Sequence, residues 1–240
     1  MFGSSRDGSQ QIYTMESDGT NQQRLTTSGS AHSPRWSPDK TKIVFMHSGS
    51  IAVMYHDGSN LYLGPDGEDP SFSNDGQQLV FRRSSGLYIS DIDGSNATQI
   101  TSGNDRAPAW HPSSDKIIFE RTLPGENSDL WTVNKDGSNE IKLPTSELDE
   151  RAPKWSPDGT QVTFSYQTDA WVMDSDGTNR VNVGGNGDQS QLTWSPDGSK
   201  LAFTMAVSGP YQNEVWVMNA DGTGRVNISN HSAHDSMGDW

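Results

Sequence analysis

The 240-residue sequence predicts an all-β fold, a six-bladed β-propeller of four-stranded antiparallel blades forming one domain over residues 1–240. Three observations carry this prediction. The phrase "APKWSPDGTQVTF" (Ala152 to Phe164) returns as "SPRWSPDKTKIVF", "DPSFSNDGQQLVF", "APAWHPSSDKIIF" and "QLTWSPDGSKLAF". Its aromatic anchors, Trp36, Phe72, Trp110, Trp155, Trp194 and Trp240, lie 36 to 46 residues apart, the length of one blade. A 3.6-residue apolar period is absent.

Each blade reads as strands A to D. Strand A ends on the anchor aromatic. The "SPDG" after it is a tight turn, in which Pro fixes φ and Gly accepts a positive φ. Strand B alternates and places a Phe nine residues after the anchor: Phe45, Phe81, Phe119, Phe164 and Phe203. Strand C is a short run rich in β-branched and aromatic residues, such as "IAVM" or "VWVM". Six residues after its start comes an Asp-Gly turn, at Asp18, Asp57, Asp93, Asp136, Asp176 and Asp221. Strand D follows as "QRLT", "TQIT" or "RVNI".

The ring closes with a shared blade. Trp240 is the sixth anchor and Phe2 the sixth strand-B Phe, and no "SPDGxxIV" segment joins them. Residues around Ser236 to Trp240 are expected to supply strand A, and the N-terminal segment strands B, C and D. Such a clasp leaves no open sheet edge. The split inside a turn also suggests a trimmed, permuted or engineered chain, with a scaffold lacking any ligand of its own as one reading.

Composition narrows the partners. The net charge is −14, which opposes binding to nucleic acid or an anionic membrane surface. There is no cysteine, hence no disulfide or thiol chemistry. No run of 18 apolar residues suits a membrane span, and "MFGSSRDGSQ" has no apolar core of a signal peptide. A monomer is expected.

The "PxWSPDGxxIxF" phrase, followed by "IWVMxxDGTNxxxLT", resembles the TolB-type β-propeller repeat over the whole chain. The resemblance implies a periplasmic or extracellular platform that binds a protein or peptide. In TolB the partner is the peptidoglycan-associated lipoprotein. Related propellers occur beside hydrolase domains and in polysaccharide lyases, so a carbohydrate-active lyase or hydrolase is the alternative.

Function is sought where the copies differ. The A–B step is always nine residues, and the Asp-Gly of C–D is fixed. The B–C step runs 10, 6, 6, 11, 6 and 12, and the D–A spacing runs from 15 to 19. One face is therefore uniform and the other variable, and variable loops on a rigid scaffold carry recognition. Four residues before the anchors stand His32, Glu68, Arg106, Arg151, Ser190 and Ser236, with Asp69, Asp105, Asp149, Asp188 and Asp235 nearby. The expected ligand-binding set is Arg106, Arg151, Glu68, His32, Asp105, Asp188, Asp235 and Tyr211. The two arginines suit a carboxylate or a peptide terminus. The same charges have a structural alternative, bonding one another and capping strands.

Catalytic signatures are scarce. No cofactor is expected; the alternative is a divalent metal held by His32, His234 and Asp235 at the clasp. The acidic turns lack the EF-hand pattern, and bonding of the Asp to its own turn explains them. Neither a nucleophile elbow nor a Gly-rich phosphate loop is present.

Overall fold

The computed structural model describes residues 1–144, 148–185, 189–207 and 212–240. It contains six four-stranded antiparallel sheets and, among the described residues, no helix. Blade 1 runs Ala31–Trp36, Lys42–His47, Ser50–Tyr55 and Tyr62–Leu63 as strands A to D. The A strands of blades 2 to 5 are Glu68–Phe72, Asp105–Trp110, Glu150–Trp155 and Gln189–Trp194. They pack against one another around the axis, so strand A is innermost.

Blade 6 is the expected clasp. Asp235–Met237 supplies strand A, while Phe2–Ser4, Gln11–Thr14 and Gln23–Arg24 supply B, C and D. Three rungs join the ends: Phe2 with Met237, Gly3 with Ser236, and Ser4 with Asp235. Trp240 lies beyond the strand and packs, half-buried, against the apolar cluster that holds Met237 and Ala202.

The core is six apolar seams, one between each pair of neighbouring blades. The strand-B Phe residues anchor them: Phe2, Phe45, Phe81, Phe119, Phe164 and Phe203 are each no more than 1% exposed. Burying a side chain of this size stabilises by roughly 1.5–3 kcal/mol. The anchor aromatic reaches to the previous blade. Trp155 of blade 4, for example, donates its indole N–H to the Ala109 carbonyl of blade 3 at 3.2 Å.

The turns explain the repeated phrase. In blade 1 the Ser37 hydroxyl donates to Asp39 at 2.6 Å and accepts the Lys42 N–H at 2.9 Å. Asp39 also accepts the Thr41 N–H at 3.0 Å. Ser73 with Asp75, Ser156 with Asp158 and Ser195 with Asp197 repeat this lock. Blade 3 departs from it, with His111 Nδ1 accepting the Ser113 N–H at 3.1 Å. In every C–D turn the Asp accepts the N–H two residues on at 2.9 Å. The glycine between them has φ of 82° to 88°, where a side chain is strained. These donors hold the aspartates below the ordinary carboxylate range, at about 2 for Asp39 and Asp197, with the Ser hydroxyl the largest cause.

Strand A is bulged in blades 1 to 5. Three residues before the anchor, Ser33, Asp69, Ala107, Ala152 and Gln191 have φ between 46° and 55°. A proline follows the first four. It has no N–H, so the lost ladder rung leaves no orphan donor. The extra residue inverts the alternation of every side chain upstream of it.

Candidate functional site

The bulge sorts the charged residues of the variable face. In blade 3, Asp105 pairs in register with Arg121, and Arg106 with Glu120. Asp105 falls on the side facing blade 2 and is 1% exposed. It accepts the Arg121 Nε at 2.6 Å and Nη2 at 2.8 Å. The Arg121 guanidinium lies over the Phe119 ring at 5.1 Å and the Trp131 ring at 4.9 Å. Asp235, fully buried, likewise pairs with Arg6 at 3.0 Å, and Arg6 lies over Phe2 and Tyr13. Glu150 pairs with Arg180, which lies over Phe164. Three blades thus seat an acid–arginine pair over the strand-B Phe. Asp105 and Asp235 belong to these buried pairs rather than to the channel mouth.

In blades 1 to 5 the residues four before the anchor stay at the mouth, while Ser236 of blade 6 is buried. Arg106 and Arg151 are exposed, and Arg151 pairs with Asp149 at 2.8 Å. Glu68 is exposed and pairs with Arg82, whose Nε also lies 3.3 Å from Asp69. His32 is partly buried with Nδ1 3.1 Å from the Ser33 hydroxyl. Burial pushes its pKa down, and Asp69 opposes that shift. Asp188 and Tyr211 lie outside the described residues. His32, His234 and Asp235 do not come together: among the described residues no three His, Asp or Glu side chains form a metal-ligand group.

The register brings in a residue the spacing had not singled out. Each residue after a strand-B Phe stands opposite a mouth position, and in blade 3 this is Glu120. It is 8% exposed, and its Oε2 accepts the Ala152 N–H of the next blade at 2.9 Å. Burial pushes its pKa up, partly opposed by that N–H and by Arg151 and Arg106. The nine-residue spacing contained the signal, since it fixes which strand-B residue opposes which strand-A residue.

Glu120 and Arg151 line a cavity of about 930 Å³ on the variable face over blades 3 to 5. Its wall is rich in amides and hydroxyls, including Gln167, Gln191, Asn213 and Thr204. The Ser165 hydroxyl, 8% exposed, also lines it and has no hydrogen-bond partner among the described residues. Such a surface both donates and accepts hydrogen bonds at fixed points.

No family model matches the chain. Over 135 residues it is 31% identical to an uncharacterized protein of Agrobacterium fabrum, covering 49% of this chain and 46% of that protein. Over 71 residues it is 42% identical to the Tol-Pal system protein TolB of Rhizorhabdus wittichii, covering 29% of this chain and 16% of TolB. The matched stretches therefore span less than half of these relatives. The fold is similar to the crystal structure of TolB from Acinetobacter baumannii, with a TM-score of 0.83 and 18% identity over 96% of this chain and 62% of that one. A provisional TolB from Agrobacterium tumefaciens matches with a TM-score of 0.82 and 16% identity over 98% of both chains. An oligogalacturonate lyase in complex with manganese matches with a TM-score of 0.65 and 18% identity, over 96% of this chain and 74% of the lyase. At these identities the structures establish the architecture, a TolB-like six-bladed propeller.

Proposed function

We propose that the chain is a non-enzymatic binding propeller that takes a protein or peptide on its variable-loop face around the channel. The observation that carries this reading is the 930 Å³ cavity with its wall of side-chain amides and hydroxyls. Amide groups pair with peptide N–H and C=O groups in both directions. Arg106 and Arg151 are exposed at the same mouth and would engage an acidic group or a chain terminus. Glu68 and His32 would orient it, and Glu120 would receive a donor from the partner. The likeness to TolB supports this class of function and a periplasmic or extracellular location.

The test is capture from a periplasmic extract on the immobilised chain, compared with an Arg106→Ala, Arg151→Ala double variant. A protein held by the wild type and lost from the variant supports the reading. Identical retention by both, or capture of nothing, overturns it.

A further inference from the structure

The opposite end of the channel has a different chemistry. There the residue just before each anchor faces a second cavity of about 350 Å³, a size common for small-molecule sites. Blade 1 places Arg35 at this position and blade 4, across the ring, places Lys154. Both line the cavity, as do Lys40 and, at the equivalent position of blade 6, Asp239. The surrounding wall is built from anchor aromatics, five of them tryptophan.

Arg35 differs from the other arginines of the blades. Arg6, Arg82, Arg121 and Arg180 each hold a carboxylate partner, and Arg83, Arg106 and Arg225 each donate to a neutral oxygen. Arg35 is partly buried and, among the described residues, has neither an ion pair nor a side-chain hydrogen bond. The nearby Asp239 is already engaged. It accepts the Trp36 N–H at 2.9 Å and the Thr193 hydroxyl at 3.0 Å. The Asp239 carboxylate lines the same cavity and, with Asp69, partly offsets the burial of Arg35, but neither makes a hydrogen bond to the guanidinium, and a bound anion would supply that directly bonded partner. The turn carboxylates on this face bond back onto their own turns.

We propose that this end of the channel binds a compact oxyanion, a carboxylate or phosphate group, through Arg35 with Lys154 opposite. The site is separate from the variable face and does not depend on the reading given above. The arginine offers its planar fork to two oxygens, and the lysine supplies a point charge from across the ring.

Tryptophan fluorescence supplies the readout, since five indoles border the cavity. The protein is titrated at low salt with inorganic phosphate and, separately, with succinate, against chloride at equal ionic strength. A saturable one-site change with either anion is expected, and the better of the two identifies the group. Arg35→Gln is expected to weaken binding at least about tenfold, the value of one charge-assisted hydrogen bond. Lys154→Gln should weaken it less, and Arg106→Gln, on the other face, not at all. The absence of saturation in the wild type overturns the proposal. So does equal affinity in Arg35→Gln, or in Lys154→Gln if the first variant fails to fold.

Discussion

Replacing Asp105 by Asn tests whether the buried acids of the mouth serve the fold or a ligand. The carboxylate is 1% exposed and holds Arg121 through two hydrogen bonds, at 2.6 and 2.8 Å. Each charge-assisted bond contributes about 1.5–3 kcal/mol, and removing one partner of a buried pair costs about 3–5 kcal/mol. Asn keeps one acceptor oxygen, and Arg121 retains Glu140, whose side chain is 34% exposed. The cost therefore falls at the lower end, about 3 kcal/mol. For a chain of this length that lowers Tm by roughly 6–12 °C. Asp105→Leu combined with Arg121→Met should recover most of the loss, because Met still packs on Phe119 and Trp131. Scanning calorimetry of the three proteins is the assay. A Tm for Asp105→Asn within about 2 °C of wild type would refute the reasoning. Loss of partner capture without loss of stability would instead return Asp105 to the binding surface.

Glu120→Gln should stabilise the protein at pH 8, with the difference vanishing near pH 4. A carboxyl whose folded pKa is raised contributes its full stability below the ordinary value of 4.5 and loses it as pH rises through the folded one. Asp39→Asn and Asp197→Asn should flatten the acid limb of the stability profile between pH 4 and 2. Those folded pKa values are depressed to about 2, so the wild-type contribution is lost as pH falls through that window. Gly19→Ala and Gly125→Ala both strain a positive φ, but a Cβ at Gly19 would meet the Ile228 carbonyl oxygen at 2.1 Å while Gly125 faces open space. Denaturant titration should show the first costing about 1–3 kcal/mol more than the second. Treatment with a chelator should leave Tm unchanged; one tightly retained Mn²⁺ or Zn²⁺ per chain, lost in His32→Ala, would revive the metal-dependent alternative.

The repeat made the architecture legible because each anchor has one physical task. Phe164 and its five counterparts fill the seams, and the Ser-Pro-Asp-Gly and Asp-Gly turns close on themselves through bonds within six residues. Pairings set by the bulge were not legible. Strict alternation back from Trp110 puts Arg106 on that side of the sheet and Asp105 on the other. The positive φ at Ala107 inserts one residue and exchanges them. Asp105 thus turns toward Arg121, and Arg106 stays beside Glu120. Nor does a single position betray the arginine partners. Arg6, Arg121 and Arg180 reach equivalent places over a Phe from three different offsets in the repeat. The solitary state of Arg35 is likewise invisible in the sequence, because it depends on Asp239 turning its oxygens to the Trp36 N–H and the Thr193 hydroxyl instead.

The turn locks also have a collective effect. Four aspartates of the A–B turns and six of the C–D turns lie on one face, and their own N–H and O–H groups keep all of them ionised well into acid. On that face these aspartates form a rim of fixed negative charge around the cationic mouth of the Arg35 and Lys154 cavity. Two copies approaching rim to rim repel over about a Debye length, about 8 Å at physiological salt. Bonds that shape individual hairpins thereby give the uniform face a colloidal barrier against stacking on itself.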